Sequence, residues 1–404
     1  MKLGAKRPTI HEVARLAGVS IGTVSNVLNG TGSVREAKHA AVERAVAELR
    51  YHPNTIARSL ITRRVRRVDP ATAAGPRLTT VGYLSVDYTA RVDDLPRRDG
   101  RITSSGIEKS LGGPAANVAV RAAGLGGLWA MQCELVTVLG NDTDSEWAVA
   151  ELAASHVEVI GIRGGDRRLS RCIVLVEPDG SRTIVNEPLV LEEANVVGYL
   201  GHRPEQGRPH CVHLDGFQVA GMAASIGQIR ELGFVTSMHT TGLRRDWRTV
   251  DAFRRLRSEF DLVFLKRDVA RDILGFSGTD AGLLRRVARL CSRTAPTGAL
   301  GLVLLTLGAA GAALFMGVYP PILQSAPTVP TVDTTGAGDT FAGVFLGIWL
   351  NQEPPESALR FAVVAASHSI TAAGALGLRV AAQDLQRWSQ DVPEETKRAA
   401  RHRA

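Results

Sequence analysis

The chain has 404 residues, 45% of them apolar and 5% aromatic, and a net charge of +8. That length favours two or three domains, and the apolar share is ample for a large core. No run of 18 apolar residues marks a transmembrane helix, and the N-terminal "MKLGAKRPTI" lacks an apolar signal stretch. Cys133, Cys172, Cys211 and Cys291 show neither metal-ligand spacing nor a disulfide framework. A reduced, cytoplasmic protein with no membrane partner is expected. The charge is unevenly placed: residues 1–67 hold 13 basic and 4 acidic side chains, a balance of +9, whereas the rest hold 35 and 36, a balance of −1. A basic arm ahead of a neutral body suggests a polyanion partner for the arm.

The arm is helical in pattern. Thr9-Ile10-His11-Glu12 makes a capping box, with Val13, Leu16 and Ala17 following at helical spacing. Gly18 breaks the run, and Ser20 caps a second helix with Val24, Val27 and Leu28 on one face and Asn29-Gly30 as its stop. Ser33-Val34-Arg35-Glu36 repeats the capping box, Val42, Val46 and Leu49 point inward, and His52-Pro53 ends the third helix. This pattern fits a helix-turn-helix, and on pattern alone a three-helix structural bundle as well. The second helix offers Ile21, Gly22, Ser25 and Asn26 to a major groove, where small residues allow close approach and Asn26 reaches a base edge or a phosphate.

Residues 8–64 resemble the DNA-binding headpiece of LacI-type bacterial repressors, carried by "TIHEVARLAGVS", "TVSNVLNG" and "YHPNTIARSL". The resemblance implies operator DNA as partner, with backbone contacts from Thr9, Ser20, Thr23 and Asn29. It also implies a hinge helix that wedges Leu60, with Ala57 beside it, into a minor groove. Many members have arginine where Asn26 stands, so base readout is expected to be modest or apolar. A basic, Pro- and Ala-containing tether follows, "TRRVRRVDPATAAGPR".

From Thr79 onward, short β-branched runs alternate with alanine-rich helical stretches, which predicts an α/β sandwich with a mostly parallel sheet. "TTVGYLSVD", "LVTVLG", "HCVHLDG", "DLVFLK" and "GLVLLTLG" read as buried strands, and Asp179-Gly180 reads as a hairpin turn. In "DTTGAGDTF", Gly336-Ala337-Gly338 can turn backbone N–H groups toward one point at a helix start, an anion hole for a transferring phosphoryl group. Asp339 follows, placed to take a proton from an attacking hydroxyl. Alone, the stretch also fits a capped helix with a tight turn.

The body from about Thr79 to Arg379 resembles the ribokinase-like, or PfkB, carbohydrate kinases. "DTTGAGDTFAG" matches their C-terminal signature and "GGPAANVAV" their N-terminal one. The resemblance makes Asp339 the catalytic base and Gly336, Ala337 and Gly338 the anion hole. It places Asp87, Gly112, Gly113 and Asn117 at a sugar, and Thr306, Gly308 and Gly311 of "TLGAAG" near ATP. It implies Mg²⁺ with ATP, and puts Asp333 and Thr335 where some members bind a monovalent cation such as K⁺. The family's N-x-x-E motif, which organises Mg²⁺, is absent: Lys266, Arg267, Asp268 and Val269 occupy that stretch, leaving Asp268 as the candidate metal ligand. Met238-His239 stands where many members have Asp-Pro or Asn-Pro, with His239 read as structural before ligand-binding.

The expected organisation is a headpiece with hinge at 1–64, a linker at 65–78, a kinase domain with a small β-lid at 79–385 and a basic tail at 386–404. The expected function is phosphoryl transfer from ATP to a sugar or related alcohol, fused to operator binding; the alternative is a sugar-responsive regulator that keeps the kinase fold as a sensor. Palindromic recognition predicts a homodimer, its lid supplied by 89–96 and 100–106.

Overall fold

The structure, a computed structural model, describes residues 10–20, 23–24, 27, 35–48, 75–163, 168–178, 181–189, 191, 193–202, 208–292, 300–391 and 397–398. The chain divides into two compact units, Met1–Arg64 and Val65–Ala404. In the first, helix α1 (Ile10–Ala17) turns at Gly18, and helix α2 (Glu36–Glu48) packs back on it. Val13, Ala14, Val24, Val42 and Ala45 form its core, leaving Leu16 46% exposed. Ser20 Oγ accepts from Thr23 N at 3.2 Å, the bond expected of a cap, while most of the second helix that Ser20 is expected to cap lies outside the described residues. Thr9, Ile21, Gly22, Ser25, Asn26, Asn29, Ala57, Leu60, the side chains of both capping boxes and the Asp179-Gly180 turn lie outside the described residues.

The second unit contains strands β1 (Arg77–Val81), β2 (Ser85–Arg91), β3 (Ile107–Gly112), β4 (Gln132–Leu139), β5 (Val157–Arg163), β6 (Ser170–Val176), β7 (Arg182–Asn186), β8 (His210–Leu214), β9 (Val235–His239), β10 (Leu262–Lys266), β11 (Leu302–Thr306), β12 (Ala312–Met316), β13 (Ile322–Gln324) and β14 (Lys397–Arg398). Ten of them form one sheet in the order β14-β13-β12-β11-β10-β9-β8-β1-β4-β5. Pairing is parallel from β11 through β5 and antiparallel across β12, β13 and β14. The central strands β10 and β11 are apolar on both faces. In β10, Leu262 and Phe264 enter one core cluster while Val263 and Leu265 enter another, and β11 repeats this with Leu302 and Leu304 against Val303 and Leu305. Alternation with both faces buried requires helices on each side, giving an α/β/α sandwich. Helices α3 (Pro114–Ala123), α5 (Ala337–Leu350) and α6 (Pro355–Ser369) pack on the first face, and α4 (Arg267–Leu274) on the second.

The stretch "TTVGYLSVD", read as one strand, is two. The backbone leaves the large sheet at Gly82 (φ 149°) and re-enters as β2 in a second sheet of order β3-β2-β6-β7. A Cβ on Gly82 would stand 2.2 Å from Asp215 Oδ2, so the corner closes only around glycine. The expected lid segments also differ: residues 89–91 belong to β2, but 92–106 form no strand. Pro96, Gly100 and paired charges there offer no two-residue apolar alternation. Gly82→Ala is expected to destabilise this unit by about 2 kcal/mol or more in urea unfolding, since a fully buried carboxylate has nowhere to retreat.

Candidate active site

The parallel strands β8, β9, β10 and β11 are neighbours, so Asp215, His239, Lys266 and Thr306 come together along the carboxyl edge of the sheet. Ligands of open α/β sheets bind at such edges. A cleft of about 570 Å³ opens there, lined by Thr306, Gly308, Gly311, Ala337 and Gly338 together with Arg182, Lys266, Arg267 and Asp268. The expected nucleotide residues thus share one cleft with Ala337 and Gly338 of the expected anion hole; Gly336 precedes them without lining it. Gly336 caps α5 in the left-handed conformation (φ 71°), and a Cβ on it would lie 2.6 Å from that of Ala375. The first N–H groups of α5, unpaired within the helix, begin at this turn.

Asp339 sits in the first turn of α5 and is only 7% exposed. Its Oδ2 accepts from Asn117 Nδ2 of α3 at 2.8 Å, and its Oδ1 lies 3.9 Å from His239 Nε2. Burial raises its pKa above the ordinary carboxylate value, against the opposing pull of Asn117, Lys266 and Arg121. Arg121, itself buried, donates to the carbonyls of Ala375 and Leu378 and so fixes the loop that covers Gly336. Burial lowers Arg121 to about 10.

Behind Asp339 runs a buried polar line that the sequence did not announce. His239 Nδ1 and His213 Nε2 are 2.8 Å apart, the rings stack at 5.0 Å, and His213 Nδ1 meets Ser237 Oγ at 2.7 Å. Burial pushes His239 down to about 3 and His213 well below its ordinary value, so both imidazoles are neutral. Asp215, also absent from the sequence expectations, accepts from Tyr83 N at 2.6 Å and Gln218 N at 3.2 Å, while burial lifts it to about 7.

The expected sugar residues converge from different elements. Asp87 on β2 lies against Gly112 at the end of β3, where a Cβ would stand 2.2 Å from its carboxylate oxygens. Ser85 Oγ donates to Asp87 Oδ1 at 2.7 Å, and burial raises the Asp87 pKa. Gly113 packs on the Tyr83 carbonyl, and the following helix α3 delivers Asn117 to Asp339. Asn117 is therefore bonded to the proposed base as well as being a sugar candidate.

The cation residues are differently engaged. Asp333 Oδ1 accepts from Thr335 N at 2.8 Å and from Thr335 Oγ1, and Oδ2 accepts from Gly374 N at 2.9 Å. Burial alone would raise Asp333, but these bonds outweigh it and hold its pKa below the usual range. Arg182 of β7 then donates to Thr335 Oγ1 and to Thr334 Oγ1 and lies 3.5 Å from Asp333 Oδ1. The donors at the expected Mg²⁺ position do not fit a divalent site: Val269 is buried in the core, and exposed Asp268 faces Arg267 at 3.8 Å. No group of three His, Cys, Asp or Glu among the described residues is arranged to hold a metal ion.

Residues 76–378 match the family model described as pfkB family carbohydrate kinase, three quarters of the chain. The chain belongs to the pfkB carbohydrate kinase family. Residues 9–54 match the model of bacterial regulatory proteins of the lacI family, so a lacI-type DNA-binding domain is fused to the kinase domain. An ATP-dependent ribose-1-phosphate kinase of Halopiger xanaduensis is 28% identical over 302 residues, covering 71% of this chain and 89% of that protein. The transcriptional regulator CelR of Thermobifida fusca is 54% identical over 63 residues, but the chain spans only 18% of its length. The kinase fold matches Giardia lamblia ribokinase (TM-score 0.66, 20% identity, 78% of this chain and 99% of that one) and Arabidopsis thaliana ribokinase complexed with ribose and ATP (TM-score 0.61, 21%, 78% and 99%). Among the described residues no helix is long and apolar enough to cross a membrane.

The neutral histidine pair of the kinase domain has a pH signature. An unfolded imidazole takes its proton near pH 6.5, whereas His239 holds out to about 3, so the unfolded state binds more protons across that window. Stability is therefore lost as pH falls through it. His239→Gln is expected to make the acid limb of urea stability, followed from about pH 7 to pH 4, shallower than in the wild type.

Proposed function

We propose that this protein phosphorylates a hydroxyl of a sugar or related alcohol with ATP and reports ligand occupancy to operator DNA through its lacI-type domain. The observation that supports this reading most directly is Asp339, a buried carboxylate of raised pKa in the first turn of α5, beside the Gly336–Gly338 turn and the phosphate cleft. A raised pKa makes it a stronger base than a surface carboxylate. The substrate hydroxyl gives its proton to Asp339 as its oxygen bonds to the γ-phosphorus, and the bond from that phosphorus to the bridging oxygen breaks to release ADP. The turn's N–H groups and the Lys266 side chain, which packs 3.6 Å from the Cβ position of Gly338, face the developing phosphoryl charge. Asp87, Gly112, Gly113 and Asn117 orient the sugar in this reading, and Thr306, Gly308 and Gly311 the nucleotide. No step is routed through a divalent ion, because the donors at that position do not fit one.

Lys266, Arg267 and Val269 in place of N-x-x-E favour a second reading, a regulator that binds ligand without turnover. The deciding experiment is ADP formation across pentoses, hexoses, sugar phosphates and nucleosides, with intact protein beside Asp339→Asn. Under the first reading one substrate turns over, and the variant loses about 10³-fold while still binding nucleotide. Saturable ligand binding with no turnover of any substrate sinks the kinase reading and leaves the sensor.

For DNA, we propose a homodimer joined through the outer face of the β3-β2-β6-β7 sheet, where Ile173 and Val185 stand side by side in register and exposed. Its two headpieces, using Ser20, Thr23, Asn26 and the Leu60 wedge, meet a palindromic operator. Ile173→Lys is expected to shift sedimentation to monomer and to weaken operator binding, while ligand changes wild-type operator affinity by about 1–3 kcal/mol. A wild type that sediments as monomer with and without operator refutes the dimer.

A further inference from the structure

The cation residues Asp333 and Thr335 lie in the loop that leads into Gly336, and their side chains are already engaged within the protein. Both Asp333 oxygens have partners within the protein: Thr335 N and Oγ1 on one side, Gly374 N on the other. Into the same cluster β7 sends Arg182, whose Nη1 donates to Thr335 Oγ1 and lies 3.5 Å from Asp333 Oδ1, while Nη2 donates to Thr334 Oγ1 at 2.9 Å. The side chain is 22% exposed and also lines the phosphate cleft. This donor set does not fit a bound K⁺, because a positive charge with directed donors is in place there.

We infer that the Arg182 guanidinium is a resident cation that holds the 333–335 loop, and with it the turn at Gly336, so that the cleft is assembled without a monovalent ion. A guanidinium is always charged and its fork of N–H groups fixes direction as well as charge. An ion held from solution supplies charge only while its site is occupied. Arg182 also belongs to the four-stranded sheet, so it ties that sheet to the anion-hole loop 153 residues further along the chain. Arg182 is a positioning residue: it acts through Thr334, Thr335 and Asp333.

The test compares full-length wild type, Arg182→Met and Arg182→Lys in potassium and tetramethylammonium chloride at equal ionic strength. Melting temperature is one readout and the dissociation constant for ADP the other; only the second rests on the kinase reading. Expected are wild-type melting and ADP binding that are the same in both salts within about twofold. Arg182→Met should melt lower and bind ADP about tenfold more weakly in tetramethylammonium, with K⁺ restoring both in part. Arg182→Lys should keep the indifference to K⁺. Wild-type protein that K⁺ stabilises and whose ADP affinity it raises about fivefold or more overturns the inference, as does Arg182→Met matching wild type in tetramethylammonium. Should Arg182→Met not fold, the wild-type comparison and Arg182→Lys decide alone. Should wild type bind no ADP in either salt, the kinase reading falls while the melting readout still decides the role of Arg182.

Discussion

A carboxylate taken out of water at the start of a helix is the constraint around which the kinase domain is arranged. Burial disfavours the ionised form of Asp339, so that form depends on help from neighbouring groups. The help comes from Asn117 at 2.8 Å and from the fields of Lys266 and Arg121. Each helper imposes a demand on the fold. Asn117 requires α3 to lie close beside α5, and Gly343 makes that approach feasible, since a Cβ there would stand 2.6 Å from the Val118 carbonyl. Arg121, one turn along α3, must also bond the loop over Gly336. The helix that carries Asp339 and the helix that carries Asn117 are thus locked by the bond they share.

The opposite flank of Asp339 follows a different logic. His239 and His213 cannot charge where they are, so they contribute directed dipoles. If Ser237 donates to His213 and His213 to His239, the remaining N–H is on His239 Nε2, 3.9 Å from Asp339 Oδ1. That ordering makes both bonds within the line with neutral rings and leaves His239 Nε2 buried without a hydrogen-bond partner among the described residues. It also explains why His239 tolerates Lys266 nearby: the lysine's field, which supports the Asp339 carboxylate, further disfavours a second positive charge on the ring.

Much of this was legible in the sequence where the signal was local. Strand alternation with both faces apolar, as in Leu262–Leu265, specifies a covered sheet, and the turn before Asp339 declares itself by its glycines. The break at Gly82 was hidden because Thr79–Asp87 reads as one continuous strand, and the reason for the break, Asp215, is 133 residues away. The histidine line was hidden for a related reason: His213 and Ser237 meet only once β8 and β9 pair in register. His239 reads as structural from the sequence, and no periodicity places it 3.9 Å from Asp339. Arg182 gives no local signal at all, since its partners Thr334 and Thr335 lie more than 150 residues further along the chain.

The departures from the family pattern share a direction. Where N-x-x-E would gather a divalent ion, the chain presents Lys266 and Arg267; where a monovalent ion is implied, it presents Arg182. Three fixed cations now line one cleft beside helix-terminal N–H groups, and the one carboxylate that joins them there, Asp268, is paired to Arg267. Such a cleft remains suited to a polyanion, because its charge is built into the chain. On the proposed reading this matters for a protein fused to a DNA-binding domain. When the charges that shape the cleft are covalent, occupancy follows the concentration of sugar and nucleotide and not that of the surrounding ions. The same substitution has a cost for catalysis, since side chains anchored at strand ends cannot follow a phosphoryl group in transit as closely as a coordinated ion does. On that reading sensing and turnover pull the metal stretch in opposite directions: the residues present at 266–269 lie on the sensing side, and the proposed base Asp339 with its glycine turn lies on the side of transfer.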